Sequence, residues 1–190
     1  MKLTEAINKR TSVRDFSNKP VKFEAILEAI DAADRAPFAG NLNNLKFVIV
    51  EKKESKNLIA EFAQQYWIND AQWVVVVCSE LRKLEELYAD RAQMYSRQQA
   101  GAAIENMLLM LTKQGIGACW VGAFSEHEIK NKLKIPDTWS IEALIPIGYQ
   151  KAKEKKPARK AQLENKIFWD QWNQSKKPMK YPHKDPMTRS

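Results

Sequence analysis

Three side chains in the stretch "NKRTSVRDF", residues 8–16, have the types and spacing of an anion site: Arg10, Ser12 and Arg14. Arginine grips a phosphate bidentately, and a serine hydroxyl donates to a remaining oxygen. In an extended segment, residues at i, i+2 and i+4 point the same way. All three would then face one small anion, with Thr11 and Val13 on the opposite side. The competing reading is a solvated turn carrying surface charge.

Other chemistries lack their residues. There is no G-x-x-x-x-G-K-[ST] loop and no G-x-G-x-x-G after a strand, and Gly115, Gly117 and Gly122 have the wrong spacing for a dinucleotide fingerprint. The G-x-S-x-G nucleophile elbow is missing. Cys78 and Cys119 sit in apolar runs and read as buried thiols of a reducing, cytoplasmic compartment. His127 and His183 do not cluster with them at zinc-ligand spacing.

The elements that must position these residues follow from hydrophobic period and punctuation. Thr4 is expected to cap a short helix through about Lys9, with Leu3, Ala6 and Ile7 as its apolar side. Residues 23–35 repeat apolar residues at helical spacing. Residues 36–44, "APFAGNLNN", read as a loop, and 45–51 as a strand. Leu58, Ile59, Phe62 and Tyr66 mark a second amphipathic helix. "WVVVVC" (73–78) is apolar on both faces, so a central strand is expected. Residues 82–97 are charged and ambiguous, a helix or a lid. Residues 98–114 are apolar nearly all round and predict a buried helix. "GIGACWVGAF" is a Gly-punctuated short strand, Ser125 with Glu128 forms a capping box, and 141–149 is a third strong strand. The expected class is α+β: a mixed central sheet with helices on both faces.

Composition sets the outer bounds. The chain has 190 residues, 44% apolar and 28% charged, which excludes a disordered polymer. No apolar run approaches a membrane span, and no signal-peptide core is seen at the N-terminus. The net charge of +8 is uneven. Residues 150–190 hold 12 Lys/Arg and 4 Asp/Glu, leaving 19 of each sign in the rest. That basic arm suits solubility, phosphate binding or nucleic-acid contact. Its isolated Ile167, Phe168, Trp169, Trp172, Met179 and Tyr181 cannot form a core, so it is expected to lie across another surface, such as a second subunit. The division expected is a domain over 1–162 and an arm over 163–190.

Five segments in order carry a resemblance: "INKRTSVRDF", "AADRAPFAGNLNNLKFVIVE", "INDAQWVVVVC", "AGAAIENMLLMLTKQGIGACWVGAF" and "IPIGYQKAKEKKPARK". Together they resemble the nitroreductase family of FMN-dependent oxidoreductases over about residues 3–162. The resemblance implies that Arg10, Ser12 and Arg14 hold the FMN phosphate, joined by Arg159, with Lys160 beside it. It implies a homodimer whose flavin pockets lie at the interface, where Pro37, Phe38, Ala39, Asn41 and Asn43 reach the neighbour's flavin. Gln64 or Gln65 falls where an amide meets the pyrimidine end of the ring; the alternative for each is a surface glutamine. Gly122 and Ala123 match the backbone N–H groups beside flavin N5, with Trp120 and Val121 packing near the ring. Cys119 reads as core.

The chain departs from the family's pattern. Phe38 stands where serine is usual, Asn43-Asn44-Leu45 replaces Gln-Pro-Trp and so predicts a looser loop, and Gln99 stands where many members have aspartate. The function implied is ping-pong transfer of hydride from NAD(P)H through the flavin to nitroaromatic, quinone or similar small-molecule acceptors, with no catalytic side chain. Two alternatives remain. One is a reductase or dehalogenase for a specific metabolite on the same fold, decided by Tyr88, Arg91, Met94, Tyr95 and Arg97. The other is a nucleic-acid-binding or scaffold protein using the basic arm, which dimer packing makes the weaker reading. No membrane or metal partner is expected.

Overall fold

The computed structural model describes residues 1–151 and 166–175. The elements in chain order are α1 (Leu3–Lys9), α2 (Phe23–Asp34), β1 (Leu45–Val50), α3 (Lys53–Ala63), β2 (Trp73–Glu80), α4 (Arg82–Tyr88), α5 (Ala92–Lys113), β3 (Gly117–Ala118), α6 (Glu126–Leu133) and β4 (Trp139–Gly148). Three short 3-10 turns, Ala39–Asn41, Tyr66–Asp70 and Ala89–Arg91, join them. The chain divides into two units, Met1–Lys153 and Glu154–Ser190. In the second, the Phe168 and Trp172 rings lie 4.8 Å apart and Trp172 is exposed.

The sheet order is β1-β2-β4-β3, and every neighbouring pair is antiparallel. The expected mixed sheet is therefore corrected. Its parallel part shrinks to one bridge, Ser12 with Ala118. The reason is connectivity: the helical excursion through α3 leaves and re-enters the sheet at the same end, so β1 and β2 run opposite ways.

The "WVVVVC" run lies between β1 and β4, as a strand apolar on both faces must. Its period of two builds two cores. Val75 and Val77 join Ala143, Ile145 and Ile147 under α2 and α5. Val74, Val76 and Cys78 join Leu144 and Ile141 under α3 and α6. A bulge between Val77 and Cys78 shifts β4 by one residue, so Ile141 and Ala143 serve opposite cores. Glu142, at the bulge, accepts the Ser79 hydroxyl at 2.5 Å.

Some local expectations change. The first helix starts two residues earlier than a Thr4 cap would place it, and Lys2 occupies the cap position instead. Ala6 is buried, while Leu3 and Ile7 are 67% and 53% exposed. The helix at 58–66 stops before Tyr66, because Gln64 turns left-handed at φ 53°. Ser125 caps α6 by position, but its hydroxyl makes no capping bond. Residues 82–97 resolve into α4, a turn and the first part of α5, with Ala89 at φ 43° between them. Among the described residues no helix is long and apolar enough to cross a membrane.

Candidate flavin site

The anion-site stretch is fastened to the sheet edge. Val13 N–H donates to the Ala118 carbonyl at 3.0 Å, and Ser12 bridges Ala118. Ser17 N–H reaches the Tyr149 carbonyl at 2.7 Å, and Phe16 bridges Gln150. Two glycines make room for this. Gly117 and Gly148 face each other in register, and a Cβ on Gly117 would fall 2.9 Å from Val13 Cγ2. On Gly148 it would fall 2.8 Å from the Phe16 ring. Val13 and Phe16 are buried, three residues apart, so strict alternation does not hold along the whole stretch.

The three polar side chains meet different neighbours. Arg10 Nε lies 3.4 Å from the Glu105 carboxylate on α5, a half-exposed pair. The Arg14 guanidinium sits 5.9 Å from the Trp67 ring centroid, and no carboxylate pairs with it among the described residues. Ser12 is half-buried, engaged through its backbone. Arg159 and Lys160 lie outside the described residues.

Past β3 the chain continues along β4. Cys119 N–H donates to the Pro146 carbonyl, and Val121 exchanges two bonds with Leu144. Cys119 and Val121 are thereby buried, and Trp120 between them is turned outward, 41% exposed. A Cβ on Gly101 of α5 would lie 3.8 Å from its indole. Gly122 and Ala123 are exposed, and a Cβ on Gly122 would meet open space. Gln65 Nε2 reaches the Ala123 carbonyl at 3.5 Å, while Gln64 caps α3 and is exposed. The structure thus brings together residues 10–16, Gln65 and 118–123.

It does not bring the 37–41 loop to the same place. Pro37, Gly40 and Asn41 are exposed, and Phe38 and Ala39 half-buried. The loop is held on α5 by Gln99, which lies two residues from Gly101, about 200° around a helix of 3.6 residues per turn. The loop and Trp120 therefore occupy nearly opposite faces of α5.

The looser loop expected from Asn43-Asn44-Leu45 does not follow. Asn44 is buried, donating to the Glu80 carbonyl at 3.0 Å and to Ser96 Oγ at 2.8 Å. The hydrogen-bond network of Gln99, Asn44 and Ser96 escaped sequence reading. The available signal was polar Ser96 and Gln99, three apart on a helix face with Ala92, Ala100 and Ala103. On the other core, burial first, with the Glu126 charge adding to it, pushes the Cys78 thiol up to about 11. That removes it from thiolate chemistry. No group of three or more His, Cys, Asp or Glu among the described residues is placed to hold a metal ion.

The sequence model of the Nitroreductase family matches residues 7–65 and 52–149, the span that holds the cationic stretch, the loop and the Trp120 turn. The chain belongs to the nitroreductase family. An Archaeoglobus fulgidus protein named as an NADH dehydrogenase/NAD(P)H nitroreductase is 29% identical over 147 residues, 75% of this chain and 82% of its own length. The crystal structure of a nitroreductase family protein from Clostridium novyi superposes at TM-score 0.73 with 28% identity, covering 91% of this chain and 96% of the other. The NADPH:FMN oxidoreductase of Vibrio harveyi, in complex with NAD+, shares the fold at TM-score 0.77 and 22% identity, covering 90% and 77%. In this nitroreductase the α+β fold is thus an antiparallel four-stranded sheet between two helical layers.

Proposed function

We propose that this nitroreductase is a homodimeric, FMN-dependent oxidoreductase that takes hydride from NAD(P)H and passes electrons, in ping-pong order, to nitroaromatic, quinone or similar conjugated acceptors. The observation that carries the reading is the Val13–Ala118 hydrogen bond. It ties a stretch bearing two guanidinium groups to a stretch ending in two exposed residues, Gly122 and Ala123, so that one elongated ligand with a phosphate tail and a polar ring can meet both. The relatives' names support the same donor and the same cofactor.

The residues present fit FMN. Arg14 has no competing carboxylate among the described residues, and Arg10 has one half-exposed competitor, Glu105. These two and the Ser12 hydroxyl would hold the phosphate by charge-assisted hydrogen bonds. The Gly122 and Ala123 N–H groups would donate to the ring, and Trp120 would cover part of its surface. Bound there, FMN supplies a hydride acceptor and an electron relay, and the protein contributes position and electrostatics. The family resemblance names Arg159 and Lys160, which lie outside the described residues, as further candidates for that phosphate.

Placement of the 37–41 loop on the far face of α5 from Trp120 supports the dimer: the loop would serve the neighbour's flavin. Exposed Leu3, Ile7, Phe23 and Leu27 give the domain apolar surface to cover. The 163–190 arm would pack on that partner.

The purified protein should be yellow and release FMN on denaturation, with NADH or NADPH bleaching the flavin. A colourless protein that takes up no added FMN overturns the reading.

A further inference from the structure

We infer that the buried Gln99 amide is a positioning residue, holding the Ala39–Leu42 turn in the one shape that can cover a flavin. The inference rests on the flavin reading above. Gln99 Oε1 accepts the Ala39 N–H at 3.1 Å, and its Nε2 donates to the Leu42 carbonyl at 3.3 Å and to Asn44 Oδ1 at 2.5 Å. One side chain therefore grips both ends of the turn and the residue that anchors it. Between the grips the backbone passes through two successive left-handed residues, Gly40 at φ 58° and Asn41 at φ 57°. Side chains other than glycine are disfavoured in that conformation, so the turn needs external hold.

An amide of this length fits the task. The site asks one side chain to accept at one atom and donate at another, which a carboxylate or a thioether cannot do. The far end of the network is closed as well. Asn44 Nδ2 is spent on the Glu80 carbonyl and Ser96 Oγ, which leaves its oxygen to receive from Gln99. Gln99, Asn44 and Ser96 are all buried, so water cannot substitute for a lost partner without a cavity opening.

The outer side of the turn is fixed too. A Cβ on Gly40 would fall 2.7 Å from Tyr88 Oη, and Tyr88 packs edge-on against Tyr95 at 5.0 Å. The turn is held from α5 beneath and from the end of α4 outside. Pro37, Gly40 and Asn41 keep solvent exposure and remain available to a ligand.

The test compares wild type with Gln99→Glu, which keeps the acceptor and loses the donors, and Gln99→Met, which keeps the volume and loses both. FMN affinity is read by fluorescence quenching, the bound flavin by its visible circular dichroism, and turnover by the KM and kcat for one quinone. Both variants should bind FMN at least tenfold more weakly, with an altered flavin spectrum and a raised quinone KM at little-changed kcat. A purely packing role would spare Gln99→Met. Variants indistinguishable from a flavin-binding wild type overturn this inference alone. A wild type that takes up no FMN overturns the flavin reading, and this inference with it. Should neither variant fold, hydrogen exchange of the Ala39 amide in wild type decides. Slowing by tenfold or more on FMN addition supports the inference, and an unchanged rate overturns it.

Discussion

Val13 rests directly on Gly117, filling the space that any Cβ there would need. The contact does for the edge of the sheet what a hydrogen bond alone would not: it sets how closely the cationic stretch approaches β3. Because Gly117 pairs with Gly148, and Phe16 fills the space over Gly148, the two contacts act as one socket.

Gly117→Ala should therefore overpack this socket. The expected loss is about 1–3 kcal/mol of stability, the usual cost of an added methyl without room. FMN affinity should fall with it, since Ser12 and Arg14 flank Val13. Chemical denaturation and flavin titration of the same variant check both. Unchanged values in each would mean the stretch can move away freely.

Arg14→Ala removes a cation that stacks on Trp67 and has no ion-pair partner among the described residues. Stability should change by less than ~1 kcal/mol, the worth of an exposed cation–π contact. FMN affinity should drop by roughly 10–100-fold, the loss of about 1.5–3 kcal/mol from a hydrogen bond to a charged group. A large loss of fold stability with normal FMN binding would assign Arg14 to structure instead.

Cys78 gives a pH test of the second core. Its thiol is pushed up from 9.0 to about 11 by burial and by the neighbouring Glu126 charge, so folding favours the neutral form. The raised value fixes the sign. The contribution is complete below pH 9 and is lost as pH rises through 11. The stability advantage of wild type over Cys78→Ala should shrink across that window, by an amount on the order of 2 kcal/mol. Parallel denaturation curves from pH 8 to 11 read it, with the variant cancelling every ionisable group the two proteins share. A constant difference would place the thiol in contact with water.

The amino-acid order determined the parts whose cause is local. "WVVVVC" had to be an inner strand because every residue is apolar and four successive valines are β-branched. The 98–114 run had to be a buried helix, and the alternation of Cys119, Trp120 and Val121 was set by strand period. The cationic triplet and the Gly-punctuated turn were legible as chemical types. Tertiary structure alone decided which of them meet. Nothing near Val13 in the chain announces Gly117, and nothing in residues 36–44 announces Gln99, because those contacts join segments brought together by the sheet and α5. The sheet's antiparallel sense, the bulge that moves Glu142 and the placement of the loop opposite Trp120 share that origin. Period and propensity act over a few residues, whereas sockets, amide networks and helix faces are settled by close packing between distant ones.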